Sequence, residues 1–244
     1  MKLLLIILFV FASFASNAQK IKQIIEDDYD LFCRNIYEVL KKDKTVKHGS
    51  YKSTYVNGSP RIKGWYTFNQ KDSLWTYFNS VKPIMASRGK YKYDIKTGVW
   101  DYFDDKEGLR HRYNHSTGVL SFTTFKDTVK TRTISIEDSI FQDKVSRPPI
   151  FLLGDKEKLR IIRNNISYPQ TAINQNIFGT VMISFYVNKY GKAVRHEITK
   201  SIGGGCDEEA LRVVKLIPNE WVPGIYKNAL AEMLITVPIT FQLN

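Results

Sequence analysis

The chain is poor in the residues that usually perform chemistry. Its 244 residues include only two cysteines, four histidines and four methionines. No Gly-x-Ser-x-Gly, no Cys-His motif and no pair of carboxylates in a Gly-rich stretch occurs, so no enzymatic constellation and no cofactor site is expected. Two cysteines cannot build a disulfide framework. Cys33 and Cys206 could pair in an exported chain, but they stand far apart in sequence, and two free or buried thiols is the preferred reading. Long apolar runs are also scarce. The only one, Leu3 to Phe14, falls short of the ~20 residues a spanning helix needs.

Four features that invite a chemical reading have plainer ones. His111 and His115 would share a helix face and could bind a metal, but their flanks read as strand and turn and no third ligand stands near, so surface histidines are expected. His48 and His196 are isolated. Gly203-Gly204-Gly205 has the look of a phosphate loop, yet Asp207, Glu208 and Glu209 would place carboxylates where the phosphate belongs; a flexible strand-to-helix hinge is expected. The same acids oppose thiolate formation at Cys206, although it opens a helix.

Basic residues exceed acidic ones, 36 against 24. A surplus of twelve suits an anionic surface or simple solubility. Residues 1–18 combine Lys2, the apolar run and a small-x-small site at Ser16-Asn17-Ala18, which predicts a cleavable secretory signal peptide with Gln19 first in the mature chain. No Cys follows the site, so lipid anchoring is not indicated, and export argues against nucleic acid as a partner.

Residues 19–44 predict one amphipathic helix, with Ile21, Ile25, Phe32, Ile36 and Val39 at helical spacing. Residues 45–125 change texture and repeat. Lys63-Gly64-Trp65-Tyr66 leads to Leu74-Trp75-Thr76-Tyr77-Phe78, and Arg88-Gly89-Lys90-Tyr91 leads to Val99-Trp100-Asp101-Tyr102-Phe103. Each unit reads as two short strands that must stack to bury their aromatics. Residues 126–150 are polar, end in Arg147-Pro148-Pro149, and read as a linker with one short strand at Thr133 to Ile136.

Residues 151–244 predict a helix from Asp155, a short one after Pro169, and a hairpin of Thr180–Val187 with Ala193–Lys200 about a turn at Asn188–Gly191. A helix capped by Asp207 and a final strand from Met233 to Leu243 follow, with the odd-numbered residues inward. The expected fold class is α+β: two helices on a three-stranded antiparallel sheet, preceded by a helix and a mostly antiparallel β-repeat module. Pro238 lacks an N–H and is tolerated mainly on edge strands, so the last strand reads as an exposed edge. Such an edge either accepts an extended peptide or is merely blunted against aggregation.

Two resemblances rest on these residues. The Gly-x-Tyr and Gly-x-Trp-x-Tyr-Phe elements of 45–125 resemble bacterial MORN-type repeats. The order Tyr168-Pro169, Gly179-Thr180-Val181, Tyr190-Gly191, Asp207-Glu208-Glu209-Ala210, Trp221-Val222-Pro223-Gly224 and Val237-Pro238-Ile239-Thr240-Phe241 resembles the TonB C-terminal family. That resemblance implies a periplasmic, non-enzymatic protein that pairs a strand edge with an outer-membrane TonB-dependent receptor or a related envelope protein. The pairing residues would be Ile235, Thr236, Val237, Pro238, Ile239 and Thr240. A full transducer of the family keeps an uncleaved membrane anchor and a long Pro-rich spacer. Here a cleavable signal and a MORN-like module stand in their place, which favours an adaptor over direct energy transduction. The second reading is an envelope protein whose MORN-like aromatic sheet takes glycan or lipid, with the C-terminal domain a scaffold or homodimerisation unit.

Overall fold

The computed structural model describes residues 20–79, 83–126, 131–137 and 139–242. The predicted signal segment lies outside them. Among the described residues no helix is long and apolar enough to cross a membrane. The described residues are mostly β with three short helices.

The first sheet is a meander of nine antiparallel strands in chain order: β1 (Ile21–Asp28), β2 (Cys33–Leu40), β3 (Lys47–Tyr55), β4 (Pro60–Thr67), β5 (Gln70–Phe78), β6 (Met85–Lys92), β7 (Ile95–Phe103), β8 (Leu109–Asn114) and β9 (Val119–Thr123). The helix expected over 19–44 is therefore a hairpin. Its apolar stripe had no core to face: Ile25 and Phe32 are exposed. As strands, the apolar residues instead pair across the hairpin, Ile25 with Ile36 and Ile21 with Leu40. β2 also satisfies the backbone of β3, which would otherwise be an open edge.

The repeat has a steric logic. Gly64 and Gly89 stand 25 residues apart (89 − 64), as do Trp75 and Trp100 (100 − 75). Each indole lies on its glycine: a Cβ on Gly64 would stand 2.2 Å from the Trp75 ring, and one on Gly89 2.2 Å from Trp100. The indole N–H of Trp75 donates to the carbonyls of Trp65 and Asp72 at 3.1 and 3.0 Å, and that of Trp100 to Lys90 at 3.1 Å. Tyr66 and Tyr91 meet the two indoles edge-on at 5.0 and 5.1 Å. Lys71 and Lys96 cover them with ammonium-to-ring distances of 4.8 and 4.1 Å. One glycine, one indole, one edge-on tyrosine and one lysine thus make up each unit.

The segment 126–150 is more than a linker. β10 (Thr131–Ile136) and β11 (Ser139–Lys144) form a hairpin that joins the second sheet, and β12 (Ile150–Phe151) follows. Then come α1 (Asp155–Asn165), α2 (Gln170–Asn174), β13 (Gly179–Val187), β14 (Ala193–Lys200), α3 (Cys206–Lys215), β15 (Trp221–Val222), β16 (Gly224–Tyr226) and β17 (Ala229–Phe241). The second sheet runs β11-β10-β17-β13-β14, so the expected three strands form its centre and one side, and the hairpin of β10 and β11 widens it. Val181, Ile183, Phe185 and Val187 of β13 and Val237, Ile239 and Phe241 of β17 pack on Ala210, Val213 and Val214 of α3 and Ile162 of α1. β12 pairs with β15, Ile150 with Val222 and Phe151 with Trp221.

The two sheets share a core. Trp75, Trp100 and Tyr102 of the first cluster with Ile150, Leu152 and Val222, which follow the β10–β11 hairpin and α3. At its edge the Lys96 ammonium meets Glu220 at 2.6 Å, and the Tyr102 hydroxyl donates to the same carboxylate at 3.0 Å. Trp75 is 1% exposed and Trp100 is fully buried. The aromatic face expected to be either a ligand surface or a core is a core, and the C-terminal part covers it.

Candidate functional site

β17 has two flanks. Along one it pairs with β13 without a break from Gly179↔Phe241 to Val187↔Met233. On the other, β10 pairs only at Ile134↔Met233 and Ser135↔Glu232. Beyond those two pairs β10 splays away, and among the described residues no strand pairs with Leu234 to Thr240 on that side. The last strand is therefore internal for part of its length and open for the rest, where the expected residues Ile235, Thr236, Val237, Pro238, Ile239 and Thr240 lie.

Pro238 shows which backbone groups face outward. It sits opposite Met182 in an intact ladder. A proline fits there only with its nitrogen turned away from β13, since it has no N–H to give. Successive residues of a strand direct their backbone groups to alternate flanks. The N–H groups of Leu234, Thr236 and Thr240 then share the outward direction, with the carbonyls of those residues and of Pro238. The side chains alternate between faces in the same register: Val237 and Ile239 are buried, whereas Thr236, Pro238 and Thr240 are exposed. Thr240 reaches Thr180 at 3.1 Å between hydroxyl oxygens, and Thr236 reaches Ser184 at 2.9 Å. Where β10 parts from β17 the two strands border a trough of about 530 Å³ lined by Thr133, Gln142, Leu234, Ile235 and Thr236 among others.

The glycine run before α3 forms the strand-to-helix connection as a turn bridged by Asp207. Gly203, Gly204 and Gly205 all take positive φ, at 78°, 65° and 84°. The Asp207 carboxylate accepts from the Ser201 hydroxyl at 2.5 Å and from the N–H groups of Ile202 and Gly203 at 2.9 and 3.1 Å. Gly205 is the N-cap, and Asp207 points back across the turn. Burial alone would raise its pKa, but the three donors together hold it below the ordinary carboxylate value. Cys206 is buried in the core; burial first, then Asp207 and Glu208, push its thiol up. Cys33 is buried as well, and both thiols are free.

The histidines depart from the surface reading. His111 is 2% exposed, with Nδ1 2.9 Å from the Thr123 hydroxyl. His115 is half-buried, with Nε2 2.8 Å from the Tyr102 hydroxyl. No group of ligating side chains suited to a metal occurs among the described residues. Burial, then the charge of Arg110, brings the His111 pKa to about 4; burial and then Lys96 bring His115 to about 4, with Glu220 opposing. Both are neutral in the fold, while the unfolded chain takes up protons near pH 6.5. Their contribution to stability is thus fully present above pH 6.5 and is lost as the pH falls towards 4. Urea unfolding at pH 7.5 and pH 5 should show the lower stability at pH 5, and His111→Gln should reduce the difference; equal stabilities at both would contradict the assignment.

Sequence reasoning missed two groupings. One is the Lys96–Glu220–Tyr102 contact between the sheets, whose only trace in sequence was the recurrence of Lys71 as Lys96. The other is a cationic cavity beside α1, to which Arg110, Lys156 and Lys158 contribute.

The open flank, the β13–β14 hairpin and α3 behind them all lie within one stretch of chain. Residues 164–243 match the model for the Gram-negative bacterial TonB protein C-terminal. They form a TonB C-terminal domain. That family is a non-enzymatic transducer of the cell envelope, with TonB-dependent receptors as partners. The domain's final strand is β17, so the flank just described belongs to it, whereas β10 and β11 lie outside the matched stretch. The first sheet is an antiparallel β region of no named type. Comparisons with curated proteins and with solved structures give no match.

Proposed function

We propose that this chain is a non-enzymatic, periplasmic binding protein that takes an extended segment of an outer-membrane TonB-dependent receptor, or of a related envelope protein, by strand addition to β17, and so supports transport across the outer membrane. The observation that carries the reading is the open flank of β17 beyond Met233, inside a TonB C-terminal domain. An added strand would meet outward N–H groups at Leu234, Thr236 and Thr240, and backbone bonds would supply affinity while alternate side chains supply selectivity. The role is that of an adaptor, with mature protein beginning at Gln19 expected in the periplasmic fraction. A MORN-like first sheet would serve as a rigid platform and not as a glycan or lipid surface, because Trp75 and Trp100 are covered.

The test replaces one outward N–H. Thr240→Pro removes that donor, leaves the β13 ladder its bonds, and costs one exposed hydroxyl contact. Affinity for receptor-derived peptides should fall about tenfold or more, since each lost backbone bond to an added strand leaves an unpaired acceptor. Calorimetry with wild type and variant reads this directly. No binding of such peptides by the wild type, or pairing of β17 only with a second copy of the chain, would overturn the reading.

A further inference from the structure

The nine-stranded sheet begins with β1, and among the described residues no strand pairs with its outer flank. The other ends of the two large sheets are short or irregular. β9 has five residues and shifts register against β8, and β11 has six residues. β14 shifts register twice against β13 and takes a positive φ at Arg195. Such features keep an edge from accepting a further strand. β1 has none of them. Its eight residues include no proline or glycine, and they pair with β2 in one unbroken register from Ile21↔Leu40 to Asp28↔Cys33. Ile25 stands 61% exposed on this strand.

The free backbone groups of β1 belong to its odd-numbered residues. The Lys41 N–H donates to the Lys20 carbonyl at 2.8 Å, so Lys20 and the even-numbered residues after it bond to β2. Flanks alternate along a strand, which leaves the N–H and carbonyl groups of Ile21, Gln23, Ile25 and Asp27 facing away from β2. The charges of the strand are sorted by end. Lys20 and Lys22 stand at its start and Glu26 and Asp28 at its close, all on the same face as Ile24. Asp27, on the other face, is engaged by Arg34 at 2.7 Å. Glu26 accepts the Tyr37 hydroxyl at 3.2 Å and Asp28 the Leu31 N–H at 2.9 Å, but no ion pair holds Lys20, Lys22, Glu26 or Asp28 among the described residues.

We infer that β1 pairs with β1 of a second copy of this chain, antiparallel about a two-fold axis at Ile24. In that register Ile21 meets Asp27 of the second copy and Gln23 meets its Ile25, so all four outward-facing residues exchange backbone bonds. Lys20 stands opposite Asp28 of the second copy, Lys22 opposite its Glu26, and the two Ile24 side chains meet at the axis. A parallel copy would set lysine beside lysine and carboxylate beside carboxylate. Charges on an edge repel strands in general, whereas this order of charges is its own complement, and that selects a second copy over a foreign strand. The contact leaves the open flank of β17 untouched and is independent of strand addition there. A single strand pair lies at the small end of specific interfaces, below ~1,200 Å², so dimer formation depends on concentration.

Sedimentation velocity of the full chain over a range of concentrations should show a monomer–dimer equilibrium. Ile25→Pro removes one outward N–H from each copy and leaves the β2 ladder its bonds, and the dissociation constant should rise about tenfold or more. Lys22→Glu sets like charges against Glu26 of the second copy and should raise it about tenfold or more, as should Glu26→Lys against Lys22. A chain with both charge changes should regain the wild-type constant, and the two single variants mixed in equal amounts should form a mixed dimer. Lys22 and Glu26 are exposed, so these variants decide the matter should Ile25→Pro misfold. A monomer at every concentration, a dimer that survives Ile25→Pro and both single charge changes, no recovery in the double variant, or a dimer abolished by Thr240→Pro instead would overturn the inference.

Discussion

Gly89→Val is expected to unfold the first sheet. A Cβ at Gly89 would stand 2.2 to 2.4 Å from three atoms of the Trp100 ring, and valine adds two methyl groups to it. The ring has nowhere to go. Its N–H is held by the Lys90 carbonyl, Tyr91 meets it edge-on at 5.1 Å, and the Lys96 ammonium sits 4.1 Å above it. Overpacking costs about 1–3 kcal/mol in ordinary cores and more where relaxation is blocked, and an emptied Trp site costs about 3–5 kcal/mol. We expect a loss of about 3 kcal/mol or more in urea unfolding, and a similar loss for Gly64→Val against Trp75. Trp100→Ala in the Gly89→Val background should lose far less than the two single changes added together, because the clash disappears with the ring. A single-variant loss under about 1 kcal/mol would show that the ring can yield.

Glu220→Ala should weaken the junction between the sheets almost as much. Lys96 lies between Trp100, Tyr102 and Glu220, with 16% of its side chain exposed. Burial lowers its pKa, and the charge and hydrogen bond of Glu220 act against that shift. Removing the carboxylate leaves a buried ammonium without its counter-charge and takes away one acceptor of the Tyr102 hydroxyl, with His115 Nε2 still beside it. Breaking a buried pair from one side costs about 3–5 kcal/mol; partial exposure of this one sets the expectation near 2–3 kcal/mol. Adding Lys96→Met to Glu220→Ala should recover most of the loss, since an apolar chain suits the Trp100 face. Limited proteolysis would supply a second reading, with faster cleavage between residues 126 and 150 as the sheets part. Full stability of Glu220→Ala would show that the contact is incidental.

What the sequence showed and what it hid follow from how each element is stabilised. The strands from Thr180 to Lys200 and the last strand were legible because one face is buried and the other is not, so the alternation is written in the residues. The Gly–Trp repeat was legible as a pattern, but its reason, an indole lying on a glycine of the neighbouring strand, is a contact across eleven residues (100 − 89) that spacing alone does not reveal. The hairpin of β1 and β2 was misread as a helix because its apolar residues recur at helical spacing while strand alternation is weak, Ile36 and Val39 falling on opposite faces of β2, and the open edge of β3 decides for the strand. β10 and β11 have little apolar content of their own; they are strands because β17 offers them a partner about a hundred residues later. His111 looked like a surface residue because burial at β8 depends on the C-terminal part packed beside it. The last strand reads in sequence as an edge without a side: Pro238 marks an outward-facing nitrogen, while the opposite flank of the same strand is fully paired.

The two sheets also differ in how far apart in the chain their partners lie. Every strand of the meander pairs with its sequence neighbour, so it can grow one hairpin at a time. The second sheet joins Ile134 to Met233, a loop of 99 residues (233 − 134). Pairings that close long loops are slow to form. During synthesis the meander can thus be complete before the final strand emerges, and it then presents a finished aromatic surface on which β12, β15 and the closing strand assemble. The order of assembly is built into the connectivity, and the strand that forms last is the one left with a free flank.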